Sequence, residues 1–172
     1  LESLRRVQMK YMGSKARIAK HILPIMLAEC EKHGITTWVE PFVGGTNMIN
    51  KVPDSFERIG YDNNKYLIEM YKELQEYGIQ RFNHHIPKDL YDKVRNFYNG
   101  KDLTFKYNDS YVGWVGFMAS ANGRFFDGGY SGVSQTKVGT QRNYIEESIK
   151  GLAKGLPSIK TVEFVCDDYS NL

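Results

Sequence analysis

The chain has 172 residues, 41% of them hydrophobic and 25% charged, with 23 Lys and Arg against 20 Asp and Glu. That length supports one hydrophobic core, or a core with a smaller lobe appended. The longest apolar stretch, residues 22–28, is too short to span a bilayer, and two cysteines, Cys30 and Cys166, cannot staple a secreted scaffold. Both cysteines read as buried core residues, and the compartment expected is reducing and cytoplasmic. Charge is uneven: residues 1–22 hold six bases (Arg5, Arg6, Lys10, Lys15, Arg17, Lys20) against one acid, Glu2, an excess of five. Such a run is either a solvated face or a surface for an anionic partner.

Ser14 is placed to cap a helix running to about Lys32, with Ile18, Ile22, Ile25 and Met26 on one face and Gly34 as its stop. Pro24 lies inside that pattern and is expected to kink or split it. A β-branched run, residues 36–39, then leads through Glu40-Pro41 into a Gly44-Gly45 turn. A second extended run from Arg58 ends at Asp62, and Tyr66, Leu67, Met70, Tyr71 and Leu74 follow at helical spacing. Beyond Pro87 the spacing predicts helices around Leu90–Val94–Phe97 and Val112–Val115–Met118. Residues 120–140 are rich in Gly, Ser, Asn and aromatics, with Asp127-Gly128-Gly129 as a tight turn. Asn143 and Glu146 form a capping box for a helix carrying Ile145, Ile149, Leu152 and Leu156. A last strand, residues 161–165, closes on Asp167-Asp168. Strands that alternate with turns and helices call for a parallel sheet. The expected fold is therefore α/β: a partial Rossmann-like sheet with an inserted, mostly helical lobe, its three strands fewer than a doubly wound domain normally has.

Chemistry concentrates at the strand ends. Paired glycines between a strand and a helix let a ligand approach the backbone without Cβ interference, although an ordinary βα turn has the same signature. Asp62 stands 18 positions after Gly44, near the distance at which Rossmann-like sites present an acid to ribose hydroxyls; it also fits a simple helix cap. Nothing obviously holds a pyrophosphate, and acids abound at the strand ends (Glu40, Asp62, Asp167, Asp168). That balance favours S-adenosylmethionine over NAD or ATP. No cluster has metal-ligand spacing, and His84-His85, lacking a third partner, reads as a surface turn.

The segments Lys10-Tyr11-Met12-Gly13-Ser14-Lys15 and Glu40-Pro41-Phe42-Val43-Gly44-Gly45, followed by Asp62, resemble the opening of the Dam-type DNA adenine-N6 methyltransferases of phages and bacteria. Residues 119–130 are similar to that family's target-recognition lobe. The resemblance implies an incomplete S-adenosylmethionine-binding domain over 1–75 and 158–172, and a DNA target-recognition lobe over 76–157. It implies that Tyr11 and Lys15 meet the methionine part of the cofactor, that Gly44 and Gly45 form its floor, that Asp62 holds the ribose and Asp168 faces the adenine. Phe42 and Tyr169 complete the implied cofactor set. In the lobe it implies DNA contacts from Ser120, Asn122, Arg124, Tyr130, Lys137 and Arg142: Arg124 on a base, Lys137 and Arg142 on the backbone. Phe125, Phe126 and Tyr130 fit equally well as the lobe's own core.

Two departures matter. Thr46 stands where the family's second motif glycine falls, and Tyr11 where many members have Trp. The family's Asp-Pro-Pro-Tyr or Asn-Pro-Pro-Tyr signature, which binds the amine of a flipped-out adenine, does not occur: the five prolines are isolated. No catalytic residue is therefore assigned, and the sequence reads as a piece truncated from a longer enzyme. The implied activity is site-specific transfer of methyl to adenine N6 in duplex DNA, with a cognate restriction nuclease as a further expected partner. The alternatives are a non-catalytic cofactor- or DNA-binding remnant and an unrelated nucleotide-binding enzyme.

Overall fold

A computed structural model describes residues 9–172; Arg5 and Arg6 of the basic run lie outside the described residues. Helix α1 (Ala16–His33) ends at Gly34, whose left-handed conformation (φ 64°) turns the chain out of the helix. Strand β1 (Thr37–Glu40) comes next and pairs in parallel with β2 (Glu57–Asp62), Thr37 opposite Glu57 and Glu40 opposite Gly60. Helix α2 (Lys65–Tyr77) starts at Asn64, whose side chain accepts from the backbone N–H groups of Tyr66 and Leu67. Helices α3 (Lys88–Tyr98) and α4 (Asp109–Ala119), the short antiparallel hairpin β3–β4 (Val133–Gln135, Gln141–Asn143) and helix α5 (Tyr144–Gly155) follow. Strand β5 (Glu163–Cys166) then returns to the sheet beside β2, with Asp62 opposite Cys166.

The sheet order β1–β2–β5, all parallel, aligns the C-terminal ends of the three strands along one edge. In open α/β sheets that edge is where ligands bind. The register continues into the loops: Val43 donates its N–H to Tyr61 O (2.8 Å), so the turn after β1 hangs on β2, and Asp167 does the same to Asp62 O (3.2 Å).

One apolar cluster runs from the sheet (Trp38, Phe164) through α2 (Leu67, Tyr71, Leu74) into α4 (Trp114, Phe117) and α5 (Ile149, Leu152). Helix α4 is buried on nearly every side, and it touches α2 backbone to backbone: a Cβ at Gly113 would sit 2.1 Å from Tyr66 O. Only glycine fits there. At the opposite edge of the sheet from the ligand side, buried Arg58 gathers the chain. Its guanidinium donates to Val52 O (3.1 Å), Ser158 O (3.0 Å) and Thr161 Oγ1 (2.7 Å), and it pairs with Asp54 (2.7 Å).

Three expectations require correction. Helix α1 runs unsplit through Pro24. Its buried residues are Ala19 and Leu23, whereas Ile18, Ile25 and Met26 are exposed; apolar spacing identified a stripe, but the residues beside it face the core. Finally, Cys30 is only half-buried, and Cys166 is exposed as the last residue of the edge strand β5. His84 and His85 lie in the turn after Arg81, as expected; one His84 ring nitrogen contacts Ile79 O at 3.0 Å. Among the described residues no helix is long and apolar enough to cross a membrane.

Candidate functional site

The loop after β1 turns sharply at Gly44 (φ 43°), and the Tyr11 ring lies directly on it. A Cβ on Gly44 would come within 2.8 Å of that ring; one on Gly45 would lie 2.6 Å from Tyr11 Cβ and 2.8 Å from Asn47 Nδ2. The glycine pair is thus required by the approach of Tyr11 as well as by the turn. Thr46 follows at φ 59°, a left-handed conformation that a β-branched residue adopts only under strain. This accounts for glycine at that position in the family pattern. Here the strain is offset locally: Thr46 Oγ1 donates to Gly45 O (2.7 Å), and Tyr71 O–H, fully buried, donates to Gly44 O (2.8 Å). Burial pushes the Tyr71 phenol well above its ordinary pKa, which keeps it a proton donor.

Asp62 holds the other side of the turn. Its Oδ2 accepts from Gly44 N (3.1 Å) and its Oδ1 from Asn64 N (3.0 Å), with the residue 9% exposed. The carboxylate therefore fastens the glycine turn to the start of α2. Each oxygen keeps a second lone pair for a hydroxyl donor.

Lys15, at the start of α1, reaches across the turn. Its ammonium donates to Phe42 O (2.6 Å) and pairs with Glu40 at 3.2 Å. Glu40 is buried at the end of β1, where its other oxygen accepts from Ile49 N (3.0 Å). Burial raises the Glu40 carboxyl above its usual range although Lys15 and Lys51 both pull it down. Burial likewise lowers the Lys51 ammonium, against the attraction of Glu40.

These groups enclose a cleft of about 240 Å³ lined by Tyr11, Lys15, Phe42, Gly44, Gly45 and Asp62, together with Gly13, Ser14, Val43, Asn47 and Asn63. Burial pushes the Tyr11 phenol up to about 12, with the Asp62 carboxylate adding to the shift. Six of the eight residues expected at a cofactor site thus converge. Asp168 and Tyr169 do not line the cleft: Asp168 caps a short turn through Ser170, and Tyr169 packs against Phe42 with ring centroids 5.1 Å apart. Ser14 and Asn47 were not read from the sequence as cleft residues. Asn47 Nδ2 donates to Ser14 Oγ (2.6 Å), while its Oδ1, buried in the cleft wall, has no hydrogen-bond partner among the described residues. The signal was a polar residue just past the glycines, in a loop that folds inward.

The residues expected to meet nucleic acid lie in different surroundings. Ser120, Asn122 and Arg142 line one polar pocket of about 380 Å³ with Lys10, Ser131 and Ser148. Arg142 forks onto Glu147 (2.5 and 2.9 Å), which also pairs with Lys10 at 3.6 Å. Arg124 lines a neighbouring pocket with Met12, Phe117, Phe125 and Tyr11, so Tyr11 is a wall of both this pocket and the glycine-turn cleft. Ser120 and Tyr130 are engaged within the protein: Ser120 Oγ accepts from Phe126 N (2.8 Å), and Tyr130 O–H donates to Ile86 O (2.9 Å). Phe125, Phe126 and Tyr130 belong to or pack against the core, the role their composition equally allowed. Lys137 is exposed in the β3–β4 loop.

A family profile for the D12 class N6 adenine-specific DNA methyltransferases matches residues 11–112, from the tyrosine on the glycine turn into α4. The chain belongs to this family. A search of curated proteins returns no match. The D12 segment includes every residue of the glycine-turn cleft described above, and family members use S-adenosylmethionine as methyl donor. The residues present fit that group: one cleft is lined by the Gly44–Gly45 backbone, the Lys15 ammonium, the Asp62 carboxylate with a lone pair left on each oxygen, and Asn47, whose buried amide oxygen has no hydrogen-bond partner among the described residues.

Proposed function

We propose that the chain supplies the S-adenosylmethionine site and the DNA-binding surface of a site-specific adenine-N6 DNA methyltransferase. The convergence of Tyr11, Lys15, Phe42, Gly44, Gly45 and Asp62 on one cleft at the C-terminal edge of the sheet carries this reading. When bound, the cofactor supplies an electrophilic methyl group on sulfur. The chain's residues bind and orient it. Lys15 meets the carboxylate of the methionine part, the Gly44–Gly45 backbone admits the chain of the ligand, and Asp62 accepts from the ribose hydroxyls. Asp168 and Tyr169 follow β5, and Tyr169 packs on Phe42 from the loop after β1; this group is where the adenine ring is to be accommodated. Residues 76–157 act as the DNA lobe, with exposed Asn122, Arg124, Lys137 and Arg142 at bases and phosphates. Ser120 and Tyr130 contribute by fixing the loop that carries them.

Adenine N6 is a poor nucleophile because its lone pair is delocalised into the ring. The Asp-Pro-Pro-Tyr type of signature that accepts its hydrogens and stacks on the flipped-out base is not among these 172 residues. The 172 residues are accordingly expected to bind cofactor and DNA but not to transfer methyl unaided. Calorimetric titration with S-adenosylhomocysteine, together with a tritiated methyl-transfer assay on duplex DNA, tests this. One-to-one nucleoside binding without transfer supports the reading, and transfer to N6 is expected only from a polypeptide that also contains the signature. Absence of any nucleoside binding refutes it.

A further inference from the structure

We infer that Glu40 is a positioning residue: it holds the Lys15 ammonium at the cleft and thereby makes the site selective for a nucleoside that carries an amino-acid tail. This rests on the cofactor reading above and assigns the part of the ligand to which Glu40 responds. A lysine ammonium has three donors on a flexible stem. Here one goes to Phe42 O at 2.6 Å, and the ammonium faces Glu40 Oε1 at 3.2 Å. With two directions taken, the remaining donor is left for the cleft. Glu40 is itself immobile, 6% exposed and fixed by Ile49 N at 3.0 Å. It therefore serves as a rigid anchor for a mobile side chain.

The neighbouring charges bear on the same assignment. Lys15 and Lys51 both attract the buried Glu40 carboxylate, and of the two only Lys15 lines the cleft. Removing the Glu40 charge has two opposed effects: the local potential becomes more positive, and Lys15 loses its anchor. Lys15 is 35% exposed, so solvent screens the first effect, whereas the loss of fixed geometry is not screened. Weakening should win.

The test compares S-adenosylhomocysteine with 5′-methylthioadenosine, which lacks the amino-acid tail, by calorimetry on the whole chain. In Glu40→Gln, which keeps an acceptor for Ile49 N, the Kd for S-adenosylhomocysteine should rise about tenfold, in line with loss of one charge-assisted contact, with the Kd for 5′-methylthioadenosine unchanged. In a Lys15→Met background the same substitution should leave the ratio of the two affinities unaltered. Glu40→Asp, which keeps the charge but withdraws it by one methylene, should give an intermediate ratio. Equal weakening of both ligands would make Glu40 structural only, and tighter S-adenosylhomocysteine binding would mean that charge, not position, governs; either overturns the assignment. A wild-type chain that binds both nucleosides equally overturns it while sparing the cofactor reading. A wild-type chain that binds neither overturns the cofactor reading itself.

Discussion

Asp62→Asn isolates the structural half of the carboxylate's role. In the native chain both oxygens accept buried or half-buried backbone N–H groups, from Gly44 at 3.1 Å and Asn64 at 3.0 Å. Asparagine has nearly the same shape but offers one acceptor and one NH2. Whichever way it flips, one backbone donor faces another donor. A buried donor left without an acceptor costs about 1–3 kcal/mol, and loss of a negative charge beside the start of α2 adds about 0.3–1 kcal/mol. The ligand-free chain should therefore lose about 2 kcal/mol, which for a domain of this size lowers Tm by about 4–8 °C. Asp62→Ala should cost no more than this, because water can enter the vacated space and rehydrate both donors. Calorimetric and urea unfolding of the three proteins without ligand, with Glu163→Gln on the exposed face of β5 as control, measures the difference. Asp62→Asn matching wild type within about 0.5 kcal/mol, the usual range of neutral surface changes, would show that the carboxylate does not hold the glycine turn.

Other expectations follow from the same geometry. Gly45→Ala places a methyl 2.6 Å from Tyr11 Cβ, so Tyr11 must move; S-adenosylhomocysteine affinity should fall at least about tenfold, with about 1–3 kcal/mol lost in urea unfolding from overpacking. Arg58→Met strands the carbonyls of Val52 and Ser158 and should cost about 3–4 kcal/mol in the same assay. The Tyr11 phenol, pushed from 10.0 to about 12 by burial and Asp62, stays neutral in the folded chain after it would ionise in the unfolded one. Its contribution to stability is present below pH 10 and lost as pH rises from 10 to 12; Tyr11→Phe should flatten part of that loss in urea midpoints measured across the interval. Lys137→Ala should weaken binding to all duplexes alike and reduce the slope of log affinity against log salt by about 1.

The features legible in the sequence are those whose determinants are local. Asp62 at the end of β2, Gly34 after α1, Asn143 before α5 and the glycines after β1 each mark a boundary through their own backbone or side-chain chemistry. What escaped depends on partners distant in the chain. The Lys15–Glu40 pair spans 25 residues, the Ser14–Asn47 bond 33, and the Ser120 hydroxyl is committed to Tyr91 and Phe126. Residue type suggested a free polar group at Ser120 and Tyr130; packing uses both. The same limit explains α1, where a helical stripe was plain but the side turned to the core, Ala19 and Leu23, was set by its neighbours.

Backbone amide NMR of the isotopically labelled chain, titrated with S-adenosylhomocysteine, addresses the central assignment most directly. The account predicts saturable shifts centred on Gly44, Gly45, Asp62 and Asn63, with smaller ones at Tyr11 and Lys15. Saturable shifts confined to some other surface, or none at millimolar nucleoside, would contradict it.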